Sequence, residues 1–407
     1  MTLTLLLDLD DTLLQNDMET FIPAYLRALS KHLAGKVSPD HLVKQLMRAT
    51  QIMIANDRPD RTLKEVFDQA FYPALGLEES QVQQEIEDFY QNHFTQLQGL
   101  TRPMPGAVEL VKEALQRNID LILATNPLFP LLANLHRLKW AGLGEVIPLF
   151  RIIASYETFH FAKPNPAFFT ELLARDGWRE QGVLMVGNDL EMDILPARKI
   201  GIQTFFVSSV SHSSASVGGD LSGVVAWIDQ TPEEEMMPDF SSPEAILAIL
   251  KSTAAVLPML CKKLPGDQWN ARFAQNEWCQ TEILCHLRDV EVEVNLPRLR
   301  KAIETPNPFI AGVDTDPWAE QRNYRQQSGE QALREFLQAR LELIRILQEL
   351  SPDIWARKVR HAIFGPTSLQ ELSGIIAAHD RIHIRQIVQN QEHSTRDWRA
   401  SISPSGG

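Results

Sequence analysis

The run Leu3–Leu7 ends in Asp8-Leu9-Asp10-Asp11-Thr12, so two carboxylates, Asp8 and Asp10, stand at the carboxyl end of an expected parallel strand. Open α/β sheets bind their ligands at that edge. Later strand-like runs bring polar groups to the same edge. Thr125-Asn126 follows residues 119–124 and offers a hydroxyl suited to a phosphoryl oxygen; Lys163 stands in Ala-Lys-Pro-Asn-Pro after 151–154; Gly187-Asn188-Asp189 follows 183–186, with Asp193 one helical turn further on. Singly, each has an ordinary reading: Asp and Thr after a strand make loops and caps, a lone lysine is solvated, and acids at a helix start complement its dipole. Their recurrence at successive strand ends decides for a site.

A second set lies near the other end of the chain. Leu372, Ile376, His379, His383 and Ile387 recur at helical spacing, as do Cys279, Ile283, His286, Val290 and Val294, so three imidazoles face inward from two helices. One such histidine is most often a hydrogen-bonded core residue. Three would leave ~1–3 kcal/mol per unsatisfied group, which a divalent transition metal (Zn, Ni, Fe or Mn) would relieve. His379-Asp380-x-x-His383 is not the H-E-x-x-H of zinc proteases, because Asp380 is one methylene short of the glutamate base and position 389 is Gln.

These residues need two kinds of scaffold. In residues 1–232, β-rich runs (Leu3–Leu7, 119–124, 151–154, 183–186 and 203–207) alternate with helical patterns, which predicts an α/β domain with a doubly wound, Rossmann-like parallel sheet. Residues 14–102 keep helical apolar spacing, as at Phe21, Tyr25, Leu26 and Leu29, and predict an inserted helical cap. Residues 208–223 are rich in Ser and Gly, 231–242 are acidic and carry Pro, and the linker is placed at 233–242. Beyond it the β signal vanishes and an all-α four-helix bundle is expected over 243–393. Its first helix opens with Ser242 as N-cap and Pro243; Asn276 can cap the second, which is interrupted near Pro297; Ser328 with Gln331 and Ser368 with Glu371 have capping-box spacing. The tail 394–407 is polar and expected to fray.

Composition bounds the partners. A net charge of −13 argues against nucleic acid, and 44% hydrophobic residues suffice for a core in each of two domains. No uncharged apolar run is long enough to span a bilayer, and Met1–Leu7 runs into Asp8 without a basic region or cleavage site, so a cytoplasmic protein is expected. Cys261, Cys279 and Cys285 cannot all pair and lack C-x-x-C spacing, so neither a disulfide framework nor a thiolate zinc site is indicated. The oligomeric state is left open.

Asp8, Asp10, Thr125, Lys163, Asp189 and Asp193, each at a strand end and in this order, together resemble the haloacid dehalogenase (HAD) superfamily. The resemblance implies a Mg²⁺-dependent phosphatase acting on a small phosphomonoester. Asp8 would take the phosphoryl group as an aspartyl-phosphate, and Asp10 would protonate the leaving oxygen and then activate water. Asp8, the main-chain carbonyl of Asp10 and Asp189 would hold Mg²⁺ with Asp193 in support, while Thr125, Asn126 and Lys163 would bind the phosphoryl oxygens. An acid at Asp10 favours phosphate esters over dehalogenation or phosphonate cleavage, and a cap implies a small phosphorylated metabolite rather than a phosphoprotein. Asn16, Asp17 and His160 lie close to these motifs, where solvated loop is expected.

Trp278, Glu282 and His286 in EWCQTEILCHLRDVE, His361 in HAIFGPTS, and HDRIHIRQI from 379 to 387 resemble the DinB-like superfamily of four-helix metal proteins, which includes thiol-dependent transferases and hydrolases. The resemblance implies that His286, His379 and His383 bind a divalent transition metal with positions open for water or a low-molecular-weight thiol. Glu282 reads either as a partner of that site or as a surface carboxylate, and His361 either as pocket mouth or as loop. Two accounts of the whole chain follow: a bifunctional enzyme, or a ligand-sensing or structural α/β half beside a bundle that carries the only activity.

Overall fold

The computed structural model describes residues 2–208, 218–263, 265–272 and 277–402. The chain divides into two compact units, Met1–Leu172 with Glu180–Asp239 and Leu173–Arg179 with Phe240–Gly407. The division falls within the stretch read as linker, of which Glu233–Met236 is a helical turn with Met236 buried rather than open chain.

The first unit holds β1 (Leu3–Leu7), β2 (Leu14–Gln15), β3 (Arg102–Pro103), β4 (Asp120–Leu123), β5 (Phe150–Ile153), β6 (Gly182–Gly187), β7 (Gln203–Val207) and β8 (Gly218–Gly219). Six of them form one sheet in the order β5-β4-β1-β6-β7-β8, parallel at every pairing. All of β1 is buried, as a continuous Leu-rich run must be in a parallel sheet covered on both faces. The chain steps out through β4 and β5, then returns across β1 to β6. That reversal opens the crevice in which such sheets bind ligands. Edge strand β8 was not expected; residues 209–217 of the Ser/Gly stretch before it lie outside the described residues.

The insert carries helices Met18–His32, Pro39–Ile54, Leu63–Leu75 and Gln83–Asp88, then tighter and wider turns as far as Leu100. Its two ends are tied by the antiparallel ribbon β2–β3, where Leu14 faces Pro103 and Gln15 faces Arg102. Aromatic packing fixes it internally, and the buried Tyr25 and Tyr90 hydroxyls share a hydrogen bond of 2.8 Å. Four contacts dock it on the loop that leads to and past Lys163. Leu63 N donates to Phe159 O at 2.7 Å and Lys64 N to Tyr156 O at 2.9 Å. Asn56 Nδ2 donates to His160 O at 2.8 Å, and Asn165 Nδ2 donates to Asp57 Oδ1 at 2.9 Å.

In the second unit, helices Pro243–Lys263, Gln280–Val290, Gly329–Gln348 and Leu369–Ile402 pack as a bundle. Ser242 caps the first, its Oγ accepting from Ala245 N at 3.1 Å. That helix is long and apolar enough to cross a membrane, but most of it is buried against its neighbours, as in the core of a folded domain. Asn276 lies outside the described residues, and Cys279 occupies the N-cap of the second helix. The interruption near Pro297 is a wide turn over Glu291–Asn295, after which Leu296–Glu304 begins anew with the proline in its first turn. Proline has no N–H to give the preceding turn, and the wide turn absorbs the lost bond. Ser328 Oγ accepts from Gln331 N, and Ser368 with Glu371 forms a reciprocal capping box.

The bundle carries an addition that no strand signal announced. A small sheet is present, with β10 (Lys358–His361) antiparallel to β11 (Gly365–Ser368) and parallel to β9 (Phe309–Ile310). These strands are too short for a period to show. The backbone of the last helix runs on to Ile402.

Candidate functional site

β1 delivers Asp8, whose N–H donates to Val186 O at 3.0 Å and so continues the ladder to β6. Lys163, only 1% exposed, donates from Nζ to Asp8 Oδ1 at 2.7 Å and to Asp193 Oδ1 at 2.5 Å. Asp193 Oδ2 accepts from Asp189 N at 3.1 Å, and Asp189 Oδ1 caps the turn beyond it through Glu191 N and Met192 N. Three carboxylates and one ammonium group from three strand ends are thereby joined in one network. Thr125 is buried just past β4. Asn126 directs Oδ1 to Lys163 N at 3.1 Å, so it holds the lysine's main chain.

Asp10 has partners that the sequence did not announce. The buried Arg137 guanidinium pairs with Asp10 Oδ2, and Asn16 Nδ2 donates to Oδ1 at 2.8 Å. Asn16 was expected in solvated loop; it is fully buried, because each carboxylate oxygen of a half-buried acid needs a donor. His160 corrects the same expectation. It is buried, with Nδ1 at 2.9 Å from Glu171 Oε1 and its N–H on Glu171 Oε2 at 3.0 Å, and so braces the approach to Lys163. Asp17 is exposed and caps helix Met18–His32.

Gly187 belongs to this geometry because a Cβ there would stand 2.3 Å from Asp193 Oδ2. Gly187→Ala is therefore expected to push Asp193 off Lys163, costing about 1–3 kcal/mol of stability and weakening Mg²⁺ binding. Denaturant unfolding and Mg²⁺ titration of the variant check this; unchanged values for both would contradict it.

The electrostatics call for a cation. Burial and the Asp193 charge, with Lys163 opposing and Asp10 adding, push the Asp8 carboxyl up to about 7. Burial works against the Lys163 charge, but Asp193 and Asp8 outweigh it and hold the ammonium above its ordinary value. Asp8, Asp189 and Asp193 outnumber the one lysine, and their oxygens suit a hard divalent ion.

In the bundle, His286 from Gln280–Val290 meets His379 and His383 from Leu369–Ile402. His379 Nε2 lies 3.0 Å from both His286 Nε2 and His383 Nε2. One ring nitrogen can donate to only one of two neighbours, so three converging Nε2 atoms fit a shared metal ion better than a hydrogen-bonded core. His383 Nδ1 meets Gln386 Oε1 at 2.8 Å, and Trp278 stacks on His383 at 6.0 Å. Burial lowers all three imidazoles, His286 to about 3, His383 to about 4 and His379 well below its ordinary value, so they are neutral donors at pH 7. Asp380 pairs with the fully buried Arg340, as does Glu291. Glu282 closes the capping box on Cys279 and pairs with Arg272, which makes it a helix-end carboxylate rather than a partner of His286.

Residues 2–201 match the haloacid dehalogenase-like hydrolase family and residues 249–387 match the DinB superfamily. Residues 2–201 thus form a haloacid dehalogenase-like segment and residues 249–387 a DinB superfamily segment of one chain. The chain is 34% identical over 129 residues to a ribulose-1,5-bisphosphate 5-phosphatase of Halopiger xanaduensis, 31% of this chain and 52% of that protein. It is 26% identical over 188 residues to a phosphoglycolate phosphatase of Agrobacterium fabrum, covering 46% and 67% of the two chains. A protein of Oceanobacillus iheyensis named as a metal-dependent hydrolase is 29% identical over 154 residues, covering 35% and 83%. The chain thus spans about half the length of the first of these relatives. Within the haloacid dehalogenase-like half, the Arg137–Asp10 pair had no sequence signal; only the fold buries Asn134 and Arg137 on helix Leu131–Trp140.

Proposed function

We propose that the haloacid dehalogenase-like half is a Mg²⁺-dependent phosphatase that hydrolyses a small phosphomonoester through an aspartyl-phosphate on Asp8. The observation that carries it is Lys163 Nζ held between Asp8 and Asp193 at the rim of the sheet, at 2.7 and 2.5 Å. Asp8 attacks phosphorus as the bond to the leaving oxygen breaks, and Asp10 gives that oxygen its proton. Asp10 then takes a proton from water as the water attacks phosphorus, which frees Asp8 and inorganic phosphate. Lys163 and the Thr125 hydroxyl hold the phosphoryl oxygens in line, and Arg137 with Asn16 fixes the proton carrier. Asp8, the Asp10 carbonyl and Asp189 would hold Mg²⁺ with Asp193 in support, and the ion would supply positive charge against the crowded anions. The docked insert excludes water and bulky phosphoproteins.

For the DinB superfamily half, we propose a divalent transition metal on His286, His379 and His383 that serves a hydrolase or a thiol-dependent transferase. The two halves are proposed as separate activities on one chain.

A phosphate-release assay over phosphorylated metabolites tests the first reading. Turnover is expected with Mg²⁺ and loss on chelation; release that is indifferent to chelator, or absent from every metabolite and from aryl phosphates, would refute it.

A further inference from the structure

The three-histidine cluster borders a cavity of about 140 Å³ whose wall includes His379. Val290, Val294, Leu372 and Ile376 make much of that wall apolar, and a single cation, Arg298, joins them. A cavity of this size takes a body about as large as a benzene ring.

Arg298, like Arg325 and Arg357, is held by a main-chain carbonyl, whereas other arginines of the bundle pair with carboxylates. Arg288 pairs with Asp289, Arg300 with Glu342, Arg322 with Glu293 and Arg340 with Glu291. Arg298 donates to the main-chain carbonyl of Ala311 at 2.8 Å, and among the described residues no carboxylate pairs with it. Burial holds its guanidinium below the ordinary value. A half-buried cation with no counter-charge, in a chain of net charge −13, is costly unless an anion visits it.

His361 lies near Arg298, outside the wall of the cavity. Its Nδ1 accepts from Ile363 N at 3.2 Å and Phe364 N at 3.4 Å, so the ring proton sits on Nε2. That Nε2 is buried without a partner. β10 sets His361 opposite Ile310, next to Ala311 whose carbonyl accepts from Arg298, and burial with the Arg298 charge lowers this imidazole. An unanswered N–H donor therefore lies near Arg298, and Arg298 shares the cavity wall with His379.

We infer that this cavity binds a small organic monocarboxylate, its carboxylate on Arg298 and its apolar body between the aliphatic residues toward His379. The inference deepens, and rests on, the reading of the three histidines as a metal centre that acts on a bound molecule. One guanidinium balances one negative charge, whereas a dianionic phosphate would leave a buried charge unpaired.

Calorimetric titration of the full chain with benzoate, benzamide and phenyl phosphate tests it, beside elemental analysis for metal. Benzoate is expected to bind about tenfold or more tighter than the other two, a charge-assisted pair against a neutral or overcharged one. Arg298→Met should bring benzoate down to the level of benzamide with metal content and far-ultraviolet circular dichroism unchanged. The preference for benzoate should survive chelation, since Arg298 reads the carboxylate. A chain whose histidines hold no metal would therefore sink the metal reading and leave the carboxylate preference to be judged separately. Equal affinity for benzoate and benzamide, tighter binding of phenyl phosphate, or no saturable binding of benzoate would overturn the inference. The three-ligand comparison in the unaltered protein decides the matter even if Arg298→Met folds poorly.

Discussion

Asp8→Asn is expected to lower phosphomonoester turnover on the order of 10⁴-fold or more, because no other side chain is bonded to Lys163 from the end of β1 and a removed nucleophile costs a large part of an enzyme's acceleration. The same change should stabilise the metal-free protein. The folded-state value for Asp8, about 7, lies above the unfolded carboxylate value of 3.8. The folded chain therefore binds this proton more tightly, and ionising Asp8 opposes folding. That penalty is absent below the unfolded value, grows as pH rises, and is complete above the folded one. At pH 8 it amounts to about 4 kcal/mol, at 1.36 kcal/mol for each pKa unit. Asn at this position does not titrate, so denaturant unfolding in chelator should show the variant ahead at pH 8 and level with the unaltered protein near pH 4. Added Mg²⁺ should reverse the order at pH 8. Undiminished turnover, or a variant less stable at every pH, would contradict the account.

His379→Ala is expected to abolish transition-metal binding, since His379 Nε2 is the atom that both other imidazoles approach at 3.0 Å. The acid response should change with it. Burial depresses the folded-state values of His286 to about 3 and His383 to about 4, and His379 also lies well below the ordinary value of 6.5. The unfolded chain then binds more protons as pH falls through 6.5. The stability that neutral burial provides is whole above that point and is lost toward pH 4, by up to about 3 kcal/mol for each ring. In chelator, unfolding at pH 7 and pH 4.5 should show a steep acid loss in the unaltered protein and a shallower one in His379→Ala. In metal the acid loss should be steeper again, because protons compete for the same nitrogens. Identical pH profiles with full metal content in the variant would count against the site.

The parallel sheet was legible because buried parallel strands are rich in apolar and β-branched residues, and the runs Leu3–Leu7 and Gln203–Val207 match the strands residue for residue. Asp8, Lys163, Asp189 and Asp193 were legible because strand ends are where open α/β sheets place ligands. The three histidines showed through helical spacing, which reports the face a side chain takes and holds in the folded bundle. Pairings across long sequence distances leave no such trace. Arg137 reaches Asp10 from helix Leu131–Trp140, and Asn16 and His160 stand in segments whose local composition is that of ordinary loops. β9 to β11 are too short for a period, and the helical turn Glu233–Met236 is acidic throughout its start, so composition read it as open chain.

The most direct test is to quench the protein in acid during turnover of a phosphomonoester with Mg²⁺ and weigh the peptide that contains Asp8. The account predicts a fraction of that peptide heavier by one phosphoryl group, labile to hydroxylamine as an acyl phosphate is, and absent in Asp8→Asn. Steady release of phosphate with the Asp8 peptide unmodified at every quench time, and the phosphoryl group found on another residue, would contradict it.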